Sequence, residues 1–199
     1  QCPHCNSWKL VSLGVGNQKV AEELEKLLPE AKIFRIDSDL VKTKKKGDEI
    51  AEKFFKTPGA ILVGTESLFS YVKKPVDNVA ALSLDAIFTL PDFKTNEKVF
   101  QLLLKLRSLA RKNYLIQTGM PELKLFDDAI RGHITGFYQD ELEQRKVFNY
   151  PPYKMIIKIT KGHSNKEALK KEIDTMMSYL KSFEAGDYPT FTPKEKNLY

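Results

Sequence analysis

Between residues 10 and 118 the sequence alternates short apolar runs with amphipathic helical segments, and this alternation constrains the fold more than any other feature. Residues 33–36, 60–64, 79–84 and 114–117 read as strands. The run at 60–64 is unbroken, which is typical of a strand buried on both faces of a sheet, and the run at 79–84 is read in the same way. Strands that are separated by helices pair in parallel. The sequence therefore predicts an open α/β domain with a parallel sheet.

Amphipathic helices separate these strands. The first begins at Asn17 and ends before Pro29, and a long one spans residues 94–110. Between them, a helix ends at residues 57–59, and its apolar stripe consists of Ile50, Ala51, Phe54 and Phe55. Because helices cover both faces of such a sheet, its strand residues should be inaccessible to solvent. We expect this in particular of Val63, Leu82, Leu84 and Ile116.

The pattern changes after residue 118. Residues 122–130 and 136–146 read as two helices, and the pair Pro151-Pro152 then disfavours helix on both sides of itself. We therefore predict a boundary at this pair. The α/β domain with its helical extension would occupy residues 8–149.

A second, incomplete α+β domain is predicted over residues 150–199. Residues 154–159 read as a strand. Ser164 and Glu167 have the spacing of a capping box, and the helix that they start carries an apolar stripe. One strand and one helix cannot close a hydrophobic core, so this domain would need further elements.

Cys2 and Cys5, the only cysteines, form a C-x-x-C pair. Such a pair supplies half of a tetrahedral zinc site, and no second Cys/His pair at metal spacing follows, because His133 and His163 stand alone. We interpret residues 1–7 as the tail of a zinc-binding region whose other ligands lie upstream. A thioredoxin-like redox dithiol and a pair of free thiols are the alternatives.

Composition points to a cytoplasmic protein that can bind a polyanion. The net charge is +6, and no stretch has the length and apolar character of a membrane span or signal peptide. Two cysteines make no disulfide framework. The densest basic cluster, Lys42, Lys44, Lys45 and Lys46, is a candidate DNA-binding element or a solvated loop.

Candidate chemistry lies where the predicted strands end. In an open α/β sheet ligands bind at the carboxyl ends of strands, and the residues there include Gly64, Thr65, Glu66 and Asp85 as nucleotide-binding candidates. Asp37 and Asp39 also follow a strand, but they fit turn and capping roles equally well. No phosphate loop and no Ser/His/Asp or Cys/His set is present. The residues alone therefore predict no self-contained enzyme.

An ordered set of short stretches resembles one protein family. It runs from Cys2 to about Lys161, and no single stretch decides it. Its members are Cys2-Pro3-His4-Cys5, Leu13-Gly14-Val15-Gly16, Arg35-Ile36-Asp37-Ser38-Asp39, Ile61-Leu62-Val63-Gly64-Thr65-Glu66, Leu84-Asp85-Ala86, Leu90-Pro91-Asp92-Phe93, Glu97, Phe100-Gln101-Leu102-Leu103, Ile116-Gln117-Thr118, Phe137-Tyr138, Glu141-Leu142, Arg145 and Tyr150-Pro151-Pro152-Tyr153. In order and spacing they resemble the primosomal protein N′ family, superfamily 2 DNA helicases of bacterial replication restart.

The resemblance implies a place within a larger protein. The chain is similar to the second RecA-like helicase lobe, entered from the last cysteine pair of a two-zinc region and followed by the start of a C-terminal DNA-binding domain. It implies zinc in the longer protein, and ATP with magnesium if that protein is a motor. The implied partners are fork or single-stranded DNA, primosome proteins and single-strand-binding proteins.

Departures from the family pattern predict weakened ATP hydrolysis. After Gly64-Thr65 the family reads Gln-Met-x-x-Lys-Gly, but here Glu66-Ser67-Leu68-Phe69-Ser70-Tyr71 follows. The family's Gln-Val-Ala-Gly-Arg-Ala-Gly-Arg aligns with residues 105–112, where Leu109 and Lys112 take the arginine positions. A lysine cannot copy the planar arginine fork that stabilises a transferring phosphoryl group. Arg107 and Arg111 are candidate displaced substitutes.

Three functions remain open on these grounds. The first is a replication-restart fragment that binds DNA and is inactive as an ATPase on its own. The second is the second lobe of an active ATP-dependent 3′–5′ DNA helicase whose motifs have drifted. The third is a metal-stabilised interaction module.

Overall fold

The computed structural model describes residues 16–89, 92–157, 159 and 161–183. The chain divides into two compact units, Gln1–Asn149 and Tyr150–Tyr199. The first unit is mixed α/β with parallel strand pairing, which confirms the predicted fold class. Among the described residues no helix is both long enough and apolar enough to cross a membrane.

The first strand pair comes from the N-terminal half of this unit. Strands β1 (Ile33–Ile36) and β2 (Ile61–Gly64) pair in parallel, with Ile33 opposite Ile61. Helices α1 (Asn17–Leu27) and α2 (Lys44–Lys56) both pack against β1. Each helix ends where the sequence predicts, α1 before Pro29 and α2 before Gly59, whose φ of +69° suits glycine.

The second strand pair comes from the C-terminal half of the unit. Strands β3 (Val76–Ala81) and β4 (Ala110–Ile116) are also parallel, with Val79 opposite Tyr114 and Ala81 opposite Ile116. Helix α3 (Thr95–Leu109) connects them, after a 3₁₀ helix at Leu84–Thr89. In the described residues the strands therefore form two sheets of two strands each, where the sequence suggested one open sheet.

The hydrophobic core lies between the β3–β4 sheet and three helices. Helices α4 (Lys124–Arg131) and α5 (Ile134–Val147) follow β4 and correspond to the predicted helices at 122–130 and 136–146. Val99, Phe100 and Leu103 of α3 are completely buried. The rings of Phe100 and Phe137 stack with their centroids 3.9 Å apart, so α5 is fixed against α3.

Two of the four residues expected in the buried sheet are buried. Val63 and Leu84 are buried, and Ile116 is half-buried against the core. The expectation for Leu82 is wrong, because this side chain is 47% exposed. Strand β3 ends at Ala81 rather than at residue 84, and Leu82 lies in the turn where Ser83 adopts a φ of 60°. An apolar run does not reveal where pairing stops.

The second unit contains one described helix, α6 (Lys166–Tyr179). Its cap is Asn165 rather than the predicted Ser164, because the Asn165 carboxamide oxygen accepts hydrogen bonds from the Glu167 and Ala168 backbone N–H groups. The predicted strand at 154–159 is wrong for its described residues, 154–157 and 159, which form no strand. A strand needs a neighbour to pair with, and the described part of this unit offers none.

Candidate functional site

Asp85 lies at the carboxyl ends of β3 and β4, where the sequence places a ligand site. One carboxylate oxygen accepts the Thr118 hydroxyl and the other accepts the Gly119 N–H, each at 2.6 Å. The Gln117 side chain accepts the Ser83 N–H at 3.3 Å in the same loops. The structure thus places Asp85 at the predicted edge and joins it to Thr118 and Gly119 of the loop after β4.

The Asp85 carboxylate is satisfied by the protein itself. The hydrogen bond from Thr118, followed by that from Gly119, lowers the pKa of Asp85 below its ordinary value. The Thr118 hydroxyl oxygen also accepts the Met120 N–H at 3.0 Å. Asp85 therefore ties the segment after β3 to the loop after β4, and each of its carboxylate oxygens has a hydrogen-bond donor within the fold.

Gly64, Thr65 and Glu66 follow β2. A side chain at Gly64 would place its Cβ 2.6 Å from the Ile36 carbonyl oxygen, so only glycine fits between the two strands. The Thr65 hydroxyl is 3.0 Å from that of Ser67. Glu66 lies 3.9 Å from the Lys105 ammonium group of α3. These three residues thus have roles within the fold that need no nucleotide.

The four nucleotide-binding candidates do not form one cluster in the described part of the chain. No hydrogen bond or ion pair there joins residues 64–66 to Asp85. Instead, Glu66 contacts α3, while Asp85 contacts the loop after β4. The assignment of these residues to a nucleotide site stays a prediction that the geometry does not favour.

The two arginines considered as displaced fingers lie in different elements. Arg107, in the last turn of α3, donates from Nε to the Ile130 carbonyl oxygen at 2.9 Å and so caps the end of α4. Arg111 lies in β4, which begins directly after α3. Arg111 is six residues before Gln117, and a strand of that length spans about 20 Å. Arg111 and the Asp85 loop are therefore at opposite ends of the strand.

Lys112 also has a local partner. Its ammonium group lies 2.6 Å from a carboxylate oxygen of Asp77 on β3. This hydrogen bond and the charge of Lys112 lower the pKa of Asp77, and Arg111 adds a smaller effect of the same sign. The position that the family fills with an arginine finger thus forms an exposed ion pair between neighbouring strands.

Asp37 forms the turn that follows β1. Its buried carboxylate accepts the Asp39 and Leu40 N–H groups at 3.0 and 2.9 Å and the Arg35 guanidinium at 3.0 Å. Burial raises the pKa of Asp37, but the bonds from Leu40, Arg35 and Asp39 outweigh it and hold this pKa below its ordinary value. The turn-forming alternative raised from the sequence accounts for every one of these contacts.

The basic cluster begins α2. Lys44, Lys45 and Lys46 are the first three helical residues, and all of them are exposed, as is Lys42 before them. The helix is capped by Thr43, whose hydroxyl accepts the Lys46 N–H at 3.4 Å. The first turn contains no acidic residue, so both the lysines and the helix dipole make this end of the helix positive.

Cys2 and Cys5 lie outside the described residues. Within the described ranges, no group of three or more His, Cys, Asp or Glu side chains could hold a metal ion. His133 has its Nδ1 3.4 Å from Asp128, and the His163 Nδ1 accepts the Asn165 N–H at 2.9 Å. Both histidines therefore act within their own local structure.

Sequence reasoning missed a network of polar side chains between α3 and α5. Arg145 donates to Glu97 and Glu141, each at 3.0 Å, and its guanidinium lies over the Phe93 ring at 5.4 Å. Glu141 is buried, and the Tyr138 hydroxyl lies 3.5 Å from Glu97. The four-residue spacing of Glu141 and Arg145 was a visible helical signal for part of this network. Its link to α3 was not visible.

Comparison with known proteins identifies relatives of one kind. The chain is 29% identical over 188 residues to the replication restart protein PriA of Thermotoga maritima, 31% over 202 residues to that of Borreliella burgdorferi, and 30% over 187 residues to that of Bacillus subtilis. These matches cover 92%, 98% and 91% of this chain but only 25%, 30% and 23% of the relatives. No protein-family model matches the chain.

Proposed function

We propose that this chain, a homologue of a segment of the PriA replication restart proteins, contributes DNA binding rather than ATP hydrolysis to replication restart. The observation that carries the proposal is the contrast between two sets of charged residues. The lysines that begin α2 are exposed, and their positive charge favours binding of a polyanion. Among the candidates for ATP chemistry, Arg107, Lys112 and Asp85 each have a partner within the fold.

DNA binding rests on the positive end of α2. Lys42, Lys44, Lys45 and Lys46 can neutralise phosphates, and the N-terminal N–H groups of a helix favour the same ligand. Lysine contacts to phosphate give affinity without base readout. The expected ligand is therefore DNA of any sequence, in a fork or a single strand.

Loss of ATP hydrolysis rests on Arg107 and Lys112. Arg107 donates to a backbone carbonyl of α4, and Lys112 is paired with Asp77, so neither points an uncommitted charge toward a phosphoryl group. Removal of an arginine finger lowers the rate by roughly 10³ to 10⁵. Asp85, a nucleotide-binding candidate, accepts hydrogen bonds from Thr118 and Gly119. Under the active-helicase alternative, Arg107 or Lys112 would have to leave its present partner, or Arg111 would have to supply the missing charge.

The remaining partners and the zinc ion belong to the same proposal. Cys2 and Cys5 would give half of a zinc site, with the other ligands supplied from elsewhere in the restart protein. Primosome and single-strand-binding proteins would be its partners, and the cytoplasm its location. If the chain binds no DNA at any salt concentration, the third alternative, a metal-stabilised interaction module, replaces this proposal.

Replacement of two lysines tests the DNA contact. The double variant Lys45→Gln, Lys46→Gln should weaken binding of a fluorescent oligonucleotide and should lower the slope of log affinity against log salt by about 1 to 2. The matched control is Lys73→Gln, Lys74→Gln, which removes the same charge from another exposed pair. Fluorescence anisotropy between 50 and 200 mM salt measures both variants. Equal slopes for the two would contradict the assignment to α2.

A further inference from the structure

Three phenylalanine rings form a contiguous cluster where α2 packs against β1. The ring centroids of Phe34 and Phe54 are 6.4 Å apart, and those of Phe54 and Phe55 are 5.0 Å apart. Phe34 and Phe54 are half-buried, whereas Phe55 is 39% exposed. The first two rings attach the helix to the strand, and Phe55 extends the cluster to solvent. We refer to Phe34, Phe54 and Phe55 as the aromatic cluster.

The charge around the aromatic cluster suits a polyanion. The Lys32 ammonium group lies 5.6 Å from the centroid of Phe34. Lys53 and Lys56 are exposed in the last turn of α2, and the acidic neighbour Glu52 is ion-paired with Lys56. Lys32 therefore lies beside one ring of the cluster, and the exposed Lys53 and Lys56 flank Phe54 and Phe55 in the sequence of α2. This combination is typical of surfaces that bind nucleic acid through phosphates and base faces together.

We propose that the aromatic cluster is a base-stacking site for single-stranded nucleic acid, with Phe55 as the ring that contacts a base. The proposal rests on the DNA binding proposed for the lysines of α2. It adds that the bound DNA is single-stranded rather than duplex. The lysines of the first turn lie about ten residues from Phe55, which is about 15 Å along the helix. A strand of a few nucleotides spans that distance, so one strand can contact both ends of α2.

The preference for single-stranded over duplex nucleic acid follows from the accessibility of the base faces to an aromatic ring. In a duplex the base faces are stacked on one another, and only phosphates and groove edges are accessible. In a single strand each base offers a face that an aromatic side chain can cover. Lysine contacts to phosphates would bind duplex and single-stranded DNA alike, whereas stacking on Phe55 would strengthen the binding of single-stranded DNA only.

Substitution of Phe55 tests the proposal. Phe55→Leu keeps an apolar side chain but removes the ring, and we expect the affinity of the full chain for oligo(dT) to fall about fivefold or more. Affinity for a duplex of the same length should change by less than about twofold. A stacking signal comes from Phe55→Trp in a Trp8→Phe background, since Trp8 is the only tryptophan. Its emission should be quenched by oligo(dT) and not by the duplex.

The outcomes separate this inference from the DNA-binding proposal. The stacking proposal is wrong if Phe55→Leu weakens binding of single-stranded and duplex DNA equally, or if it weakens binding of neither. The proposed lysine contacts with DNA would be unaffected by either result. Absence of quenching in Phe55→Trp overturns the stacking proposal in the same way. If the unmodified chain binds neither form of DNA, the DNA-binding proposal itself fails. Retained thermal stability of Phe55→Leu is the control for folding.

Discussion

Asp85, Gly64 and Arg107 show what single candidate residues do in the fold of this chain. Each was a candidate for nucleotide chemistry on sequence grounds, and each has a complete structural role. Asp85 joins two loops, Gly64 permits the close approach of β1 and β2, and Arg107 caps α4. A polar residue after a strand therefore indicates the edge at which a ligand could bind, but not whether its side chain is available.

The pKa of Asp85 leads to a prediction about stability and pH. Because its folded-state pKa is lowered, the carboxylate stabilises the fold fully above the ordinary Asp value of about 3.9, and this stabilisation is lost as the pH falls below it. Asp85→Asn should therefore destabilise the first unit at pH 7 by about 1 to 3 kcal/mol and should have a smaller effect near pH 3. Urea unfolding at the two pH values measures this difference.

The control for this prediction is Asp127→Asn. Asp127 is an exposed partner of Arg131 one helical turn away, so its removal should change the stability by less than about 0.5 kcal/mol at pH 7. An equal destabilisation by Asp85→Asn at both pH values would show that the charge of Asp85 does not matter.

At the scale of elements, helices were predicted more accurately than strands. Helices α3 and α5 were found within two residues of both predicted ends, and α2 ends directly before its predicted stop, because capping residues, glycine and proline mark helix ends locally. The end of β3 and the strand at 154–159 were missed, because a strand depends on a pairing partner that is distant in sequence. The ion pair between Arg145 of α5 and Glu97 of α3 was also missed, because these two residues are distant in sequence.

The network around Arg145 leads to a prediction about the contact of α3 with α5. Arg145→Met leaves the buried Glu141 carboxylate without this cation and should destabilise the chain by about 3 kcal/mol. The double variant Arg145→Met, Glu141→Met should recover part of that loss, because it removes both charges. Arg131→Met, at an exposed ion pair, is the matched control and should cost less than about 0.5 kcal/mol. Urea unfolding followed by circular dichroism compares the four proteins, and equal losses for Arg145→Met and Arg131→Met would contradict the argument.

At the scale of the whole molecule, the chain combines an order of short stretches that resembles PriA with contacts within the fold at several candidate site residues. The relatedness to PriA and the α/β class could both be inferred from the sequence, since they depend on the order of many short stretches. The state of the candidate site could not, because Glu66–Lys105 and Lys112–Asp77 join residues that are more than thirty positions apart.

We predict that this chain hydrolyses no detectable ATP, with or without DNA. The sequence has no phosphate loop, and both arginine-finger positions carry other residues. A coupled phosphate-release assay measures hydrolysis directly. As a binding test, millimolar Mg-ATP should leave the thermal unfolding midpoint unchanged, while a binding oligonucleotide should raise it. ATP turnover that is stimulated by DNA would support the active-helicase alternative instead.

Helix α3 passes into β4 without an intervening residue, since one ends at Leu109 and the other begins at Ala110. The junction therefore has no loop in which a change of chain length could be absorbed. Side chains of a strand alternate between its two faces, so one residue inserted or deleted here would exchange Tyr114 and Ile116, which face the core, with the exposed Leu115. Changes in chain length should therefore be tolerated only in the loops before α3 and after β4, and not at this junction.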